Sequence, residues 1–314
     1  MQSMSKQLAL VLSGGGARGA LQVGALRALA EANIRPDLLV GTSAGAINAA
    51  FVALRGMNQA SIETLAWHWR DAAKSEILTS NYVWVTLSSL FNRSGQGAYP
   101  RMRDFFIAHG LTPNLCFGDI QGVRLFVVAA NLNCGCPIVY GTDPQEPILD
   151  SVLASAALPP WVPPIEKDGQ LLIDGGVLSN LPVEAALKQG ATEIVALDLS
   201  DSREVPSNAR GWLALIAKLR NMAEQRQMEL ELALAKARQV PVRRIVLQGE
   251  KPVEIWDFGH ADALMERGYH IAREEIARWQ PDHQPVWPGW LRRLLKMSNA
   301  NPQKERGTSS QISK

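Results

Sequence analysis

Short apolar runs alternate with amphipathic segments from the start of the chain. Residues 7–12 and 38–40 are continuous apolar runs of strand length, and apolar positions recur at helical spacing from 21 to 29. A second small, apolar segment follows and continues to about residue 54. The first 55 residues therefore predict strand, glycine loop, helix, strand, sharp turn and helix, which is the start of a parallel sheet.

The same alternation continues beyond residue 55. It predicts further strands at 124–130, 136–140, 170–173, 193–199 and 244–247, and helices at 61–74, 82–90, 147–157, 182–189, 211–238 and 258–279. This order is typical of an α/β fold with a mostly parallel sheet. We expect one domain over residues 1–280, because no break in composition precedes its end. Residues 281–314 form a C-terminal extension that is polar and predicted to be partly disordered from residue 299 onward.

Composition narrows the class of protein. The 314 residues are 46% hydrophobic and 20% charged, which favours a globular enzyme over a disordered chain. A net charge of +2 argues against a dedicated nucleic-acid binder. The three cysteines, Cys116, Cys134 and Cys136, are too few for a disulfide framework and lack the spacing of a zinc or thioredoxin-type site. We interpret them as small structural thiols.

The lengths of the apolar runs indicate where in the cell the protein is located. The apolar run at residues 8–12 is too short for the core of a signal peptide, and no run reaches the length of about 18 residues needed to span a bilayer. The sequence therefore predicts a cytoplasmic protein, or one peripheral to the inner face of the membrane.

The sharp turn after the second strand carries the first candidate for chemistry. Gly41, Thr42, Ser43, Ala44 and Gly45 match the Gly-x-Ser-x-Gly pattern between a strand and a helix. Such a turn strains the residue at its apex, and glycines two places away relieve the crowding. Ser43 is thereby exposed at the positive end of a helix, which suits a nucleophile.

The glycine loop after the first strand allows two functions. It consists of Gly14, Gly15, Gly16, Ala17, Arg18 and Gly19. A dinucleotide-binding loop would need an acidic residue at the end of the second strand, where the chain instead has Val40 followed by Gly41. Successive glycines also let backbone N–H groups converge on one point, as in an oxyanion hole. The sequence favours the oxyanion hole and predicts no nucleotide.

A serine nucleophile needs a base, and two designs are open. A triad would use a histidine, and the chain contains His68, His109, His260, His270 and His283. A dyad would use a carboxylate directly. Asp174 follows an apolar strand and precedes Gly175 and Gly176, which leave space around its carboxylate. We expect it on the same edge of the sheet as Ser43, since it lies at the carboxyl end of its strand.

Together these motifs resemble the patatin-like phospholipases, in the bacterial branch related to neuropathy target esterase. The resemblance covers residues 8–272. The glycine loop is similar to the family's oxyanion motif, residues 41–45 to its nucleophile elbow, residues 154–159 to its proline-bearing block, and Asp174-Gly175-Gly176 with Asn180 and Pro182 to its acid motif. The resemblance implies a three-layer α/β/α fold with a mostly parallel central sheet.

The resemblance also implies a function. It implies a Ser43–Asp174 dyad without a catalytic histidine that hydrolyses acyl esters of lipids or lysophospholipids, and requires no cofactor or metal. We expect backbone N–H groups of Gly15, Gly16 and Ala17, with Ala44, to hold the oxyanion, and Arg18 to brace the loop. Two alternatives stay open: a non-catalytic or weakly catalytic regulatory protein on this fold, and a lipid transacylase.

Three segments bear on substrate choice. The aromatic-rich residues 61–111 either cap an acyl-binding cleft or pack the core. Trp161 is flanked by prolines and is predicted to lie at the rim of that cleft. Residues 287–296 alternate aromatic and basic residues with leucines, which predicts transient contact with a membrane surface.

Overall fold

A computed structural model describes residues 6–75, 98–201, 203 and 211–279. Its strands are β1 (Leu8–Leu12), β2 (Leu38–Thr42), β3 (Arg124–Asn131), β4 (Cys136–Tyr140), β5 (Ile165–Lys167), β6 (Gln170–Asp174), β7 (Glu193–Asp198) and β8 (Val242–Val246). Its α-helices are α1 (Gly19–Glu31), α2 (Ala44–Arg55), α3 (Gln59–Lys74), α4 (Ala98–Ala108), α5 (Ile148–Ser155), α6 (Gly176–Ser179), α7 (Val183–Lys188), α8 (Trp212–Ala237) and α9 (Ala261–Trp279). The predicted helix at 82–90 and the segment 287–296 lie outside the described residues.

The strands form one mixed sheet in the order β5-β6-β3-β2-β1-β7-β8, with β4 also paired to β3. β1, β2, β3, β7 and β8 are parallel to one another, whereas β4 and β6 run antiparallel to β3. The central strands are buried on both faces, which explains their continuous apolar sequences. The predicted α/β fold is confirmed.

Helices cover both faces of the sheet. On one face, alternate residues of the central strands, such as Val11 and Val40, pack with α7 and with Ala235 of α8. On the other face, α2 packs on β1, β2 and β3, and α1 packs against α2 and α3. α9 crosses α1 closely, because a side chain at Gly24 would overlap the Met265 carbonyl and one at Gly268 would overlap the Leu21 carbonyl. This is the predicted three-layer arrangement.

The prediction for two of the cysteines is wrong. Cys134 and Cys136 form a disulfide at the tip of the β3–β4 hairpin. The turn brings their Cα atoms to 5.3 Å, within the range that a disulfide spans. Gly135 between them adopts a φ of 64°, a conformation that glycine accepts without strain.

The chain divides into two compact units by its internal contacts. The first comprises Met1–Ile276 and contains the whole sheet; the second comprises Ala277–Lys314, of which only residues 277–279 are described. The predicted domain boundary at residue 280 stays a prediction. Within the described part of the chain, no helix combines the length and apolarity needed to cross a bilayer.

Candidate active site

The β2–α2 turn holds Ser43 in a strained conformation. β2 ends at Thr42 and α2 begins at Ala44, so Ser43 alone makes the reversal, with φ 54° and ψ −124°. Such a conformation costs a non-glycine residue about 1–3 kcal/mol. A Cβ added at Gly41 would lie 2.5 Å from the Gly45 carbonyl oxygen, and one at Gly45 would overlap the Leu12 carbonyl of β1. Both glycines are therefore required for the turn to close against the sheet.

Ser155 supports the turn from beneath. The Ser43 N–H donates to the Ser155 hydroxyl at 2.8 Å, and that hydroxyl donates to the Val128 carbonyl at 2.6 Å. Ser155 is fully buried at the end of an apolar helix, α5. Sequence reasoning noticed it only as part of a family motif, although a serine at a buried position of an apolar helix signals a specific hydrogen-bonding role.

The pairing of β2 and β6 with β3 places Asp174 beside Ser43. β4 pairs with residues 127–131 of β3, a range that overlaps the pairing of β3 with both β2 and β6, so β2 and β6 share the other edge. There Thr42 pairs with Val128 and Asp174 pairs with the next residue, Ala129. The two strands therefore meet end to end from opposite directions. Asp174 does end its strand, as expected, but the sequence did not indicate that β6 is antiparallel to β3.

The Ser43 side chain lies close enough to the Asp174 carboxylate to lower the pKa of that carboxylate, and both residues line one cavity. Asp174 is 4% exposed, and its Oδ1 also accepts the Gly176 N–H at 2.7 Å. Burial raises the pKa of Asp174 to about 6, while the hydrogen bonds from Ser43 and Gly176 and the charge of Arg220 act in the opposite direction. A carboxylate with this pKa is ionised at neutral pH and remains basic enough to accept a proton.

The two glycines after Asp174 have separate roles. A Cβ at Gly176 would lie 3.1 Å from Asp174 Oδ1 and 2.9 Å from Asn180 Oδ1, so this glycine leaves space beside the carboxylate. A Cβ at Gly175 would overlap the Val128 carbonyl, so that glycine lets the chain pack on β3.

The glycine loop passes over Ser43 and is tied to the acid motif. A Cβ at Gly14 would lie 3.1 Å from Ser43 Cβ and 2.5 Å from Asn180 Oδ1. The Gly14 N–H donates to the Asn180 carbonyl at 3.0 Å. Asn180 thus holds the glycine loop and the Asp174 loop together, a role that the sequence did not reveal.

The structure narrows the set of predicted oxyanion donors. The Ala17 N–H donates to the Ile255 carbonyl at 2.7 Å, so its prediction as a donor is wrong for this conformation. The N–H groups of Gly14, Arg18 and Gly19 also donate to backbone carbonyls. The Gly15 and Gly16 N–H groups have no acceptor among the described residues, and the same holds for Ala44 at the first turn of α2. Arg18 is buried and its Nε donates to the Gly15 carbonyl at 3.3 Å.

An apolar cavity of about 150 Å³ opens beside Ser43 and Asp174. Side chains from α2, α3 and α4 line most of it, and the segment after α5 contributes Trp161 and Val162. Trp161 stacks on Trp256 with ring centroids 5.2 Å apart. A cavity with Trp161 in its lining therefore lies beside Ser43, and its use as an acyl cleft stays a prediction.

The histidines separate into two groups. His260 and His270 lie on the surface in contact with Asp257 and Glu266, and His283 lies outside the described residues. His68 and His109, in contrast, line the cavity. In the part of the chain that the structure describes, neither is hydrogen-bonded to Ser43. The sequence did not predict their place in the cavity. The patterns of α3 and α4 show which face of each helix is apolar, but not what that face packs against.

Comparison with known proteins finds related sequences and structures. The chain is 30% identical to patatin-like phospholipase domain-containing protein 7 of Mus musculus, over 92% of this chain and 21% of that protein. It is 28% identical to an uncharacterized NTE family protein of Mycobacterium bovis, over 88% of this chain and 47% of that protein. Human GIVD cytosolic phospholipase A2 has a related structure, with TM-score 0.47 and 11% identity over 87% of this chain and 58% of that one. The chain thus spans about a fifth of the mouse relative and about half of the mycobacterial one.

The fold and the site define a class of α/β protein with a serine at a strand-to-helix elbow beside a glycine loop. A family model for patatin-like phospholipase matches residues 10–187, more than half of the chain. The chain belongs to the patatin-like phospholipase family, and the resemblance drawn from its motifs is confirmed. The family suggests a lipid ester hydrolase.

Proposed function

We propose that this protein hydrolyses acyl esters of phospholipids or lysophospholipids through a Ser43–Asp174 dyad. The observation that carries the proposal is the position of Ser43 beside the buried Asp174 carboxylate, with both residues lining one apolar cavity. The strained elbow supports the proposal, because strain of this kind persists where it serves a reaction. The apolar lining suits an acyl chain rather than a polar substrate.

In the first half-reaction, the Ser43 oxygen attacks the ester carbonyl carbon while Asp174 accepts the hydroxyl proton. The tetrahedral intermediate places its negative oxygen toward the Gly15 and Gly16 N–H groups, with Ala44 as a third donor. The bond to the alcohol then breaks, and Asp174 returns the proton to the departing oxygen. An acyl group remains on Ser43.

In the second half-reaction, water replaces the alcohol. Asp174 accepts a proton from the attacking water, the bond to Ser43 breaks, and the proton returns to the serine oxygen as the fatty acid leaves. Each backbone donor to the oxyanion is worth about two to three powers of ten in rate. Since these donors are fixed by the loop, they need no rearrangement when charge develops.

Product analysis tests the proposed reaction. Lysophosphatidylcholine and phosphatidylcholine are incubated with the protein, and the products are identified by mass spectrometry with and without a long-chain alcohol. We expect free fatty acid and the deacylated phospholipid in equal amounts. Acyl transfer to the alcohol in place of hydrolysis would indicate a transacylase, and no turnover of any ester would indicate a regulatory protein.

The raised pKa of Asp174 predicts the pH dependence of the reaction. Only the ionised carboxylate accepts a proton, so kcat/KM for p-nitrophenyl butyrate is expected to be constant above about pH 7 and to fall tenfold per unit below about pH 6. The rates are measured from pH 4.5 to 8.5 at the isosbestic wavelength of p-nitrophenol. A profile that stays flat down to pH 4.5 would contradict Asp174 as the base.

Trp161 is expected to contribute to the binding of long acyl chains. It lines the cavity beside Ser43, and alanine would remove a large apolar surface there. We expect Trp161→Ala to lower the ratio of kcat/KM for p-nitrophenyl palmitate over butyrate about tenfold. Because both esters are measured on one preparation, the ratio does not depend on the active fraction. An unchanged ratio would remove Trp161 from the acyl site.

A further inference from the structure

The cavity follows one face of α2 away from Ser43. Ser43 lies at the first end of the helix, and Arg55 is its last residue. Between them Ile47, Ala50 and Leu54 line the cavity, a spacing that places them on one face. Twelve helical residues at 1.5 Å each extend about 18 Å. An acyl chain attached to Ser43 therefore has an apolar path along the helix.

The far end of this path is polar. Arg55, His68 and His109 line the cavity there, whereas its walls closer to Ser43 are mostly apolar. The His68 ring contacts Phe51 at 5.1 Å and His109 at 4.5 Å between centroids. We call Arg55, His68 and His109 the distal cluster.

His109 makes two polar contacts in the distal cluster. Its Nδ1 lies 2.7 Å from the Phe105 carbonyl oxygen and its Nε2 lies 3.1 Å from Asp71 Oδ2. Burial, His109 and Arg55 lower the pKa of His68 to about 4, and Asp71 opposes them, so His68 is neutral at pH 7.

Arg55 gives the distal cluster a net positive charge. Its guanidinium lies against Gly110, where a Cβ would be 2.9 Å from Nη2. Throughout the described ranges, no carboxylate forms an ion pair with it, and its side chain has no hydrogen-bonded partner. Arg55 is exposed to solvent, so its guanidinium is a positive charge at the end of the apolar path that a ligand can reach.

We infer that the distal cluster binds a carboxylate at the end of the acyl chain, so that the preferred substrates are esters of long ω-carboxylated acyl chains. The inference rests on the proposed function of Ser43. A guanidinium matches a carboxylate with two parallel hydrogen bonds.

The helix sets the length of the chain that fits. Phe51, which contacts His68, lies eight residues beyond Ser43, or about 12 Å along α2, and Arg55 lies about 18 Å along it. An extended chain advances about 1.2 Å per bond, since three bonds span at most about 3.6 Å. The terminal carboxylate should therefore lie about 10–15 bonds from the ester carbonyl.

The test compares two p-nitrophenyl esters of equal length, the monoester of dodecanedioic acid and the dodecanoate ester. In the wild-type protein we expect kcat/KM to be about ten- to a hundredfold higher for the carboxylate-ended ester. Arg55→Met and Arg55→Gln are expected to bring this ratio to one or below. Arg101→Met, which removes an exposed arginine of α4 that is not part of the cavity lining, should keep the wild-type ratio.

A shorter pair tests the geometry. The monoester of hexanedioic acid is too short to reach the distal cluster, so it should be a poorer substrate than the hexanoate ester. A wild-type ratio of one or below for the dodecyl pair, or a preference that survives both Arg55 variants, would overturn the inference and leave the proposed function intact. Failure to hydrolyse even p-nitrophenyl butyrate would overturn the proposed function and this inference with it.

Discussion

Replacing Ser43 with alanine is expected to lower kcat/KM for p-nitrophenyl butyrate by at least about four powers of ten, because no covalent intermediate can then form. The variant should fold, since alanine retains the N–H that donates to Ser155. The measurement is initial-rate hydrolysis, with circular dichroism to verify folding. Ser61→Ala, which removes a hydroxyl from the first turn of α3, is the matched control and should keep full activity.

Persistence of hydrolysis in a folded Ser43→Ala protein would show that another group attacks the ester. His68 is the side chain to examine in that case, because it lines the same cavity and is neutral at pH 7.

Asp174→Asn is expected to lower the same kcat/KM by about two to four powers of ten, the usual contribution of a general base. Asparagine keeps the size of the side chain and an oxygen that accepts the Gly176 N–H, but it cannot accept the serine proton. Rates are measured at pH 8, where the wild-type carboxylate is ionised. Near wild-type activity in this variant would exclude the dyad and favour a triad.

The stability of Asp174→Asn is its control. The pKa of Asp174 is higher in the folded protein than the ordinary value of 3.8, so the folded state binds this proton more tightly than the unfolded state. The stabilising contribution is complete below about pH 4 and is lost as the pH rises through 6. At pH 8 the variant should be more resistant to urea than the wild type by up to about 3 kcal/mol, since each pKa unit is worth 1.36 kcal/mol. At pH 4 the wild type and the variant should have similar free energies of unfolding.

The local parts of the candidate site could be predicted because short motifs determine them. The elbow follows from glycines two residues either side of Ser43, and the structure adds that Gly45 faces β1. The apolar strands and the long amphipathic helices were likewise predicted close to their observed bounds, since burial on one or both faces leaves a period in the sequence.

Most features of the site that the sequence did not predict depend on contacts between residues that are distant in sequence. Asp174 was predicted near Ser43, but nothing in residues 170–174 reveals that β6 continues the edge of β3 where β2 stops. The Ala17 N–H is occupied by a carbonyl from Ile255, which is remote in sequence. A sequence pattern can show that a loop has backbone N–H groups available as donors. It cannot show whether a carbonyl group of a distant segment already accepts a hydrogen bond from one of them.

The distal cluster illustrates the same limit for side chains. His68 and His109 belong to separate segments, α3 and the residue after α4, and meet only when both pack against α2. The Cys134–Cys136 disulfide is the opposite case, because its two residues are close in sequence. It was missed because three cysteines are too few for a disulfide framework, whereas a single hairpin turn is enough to bring two of them together.

The rate at which a fluorophosphonate probe labels Ser43 tests the central claim, that Ser43 and Asp174 act as a pair. Labelling is followed over time in the wild type and in Asp174→Asn, and the modified peptide is identified by mass spectrometry. We expect the wild type to be modified at Ser43 alone and the variant to react at the same residue at least about a hundredfold more slowly. Modification of another serine, or equal rates in the two proteins, would contradict the claim.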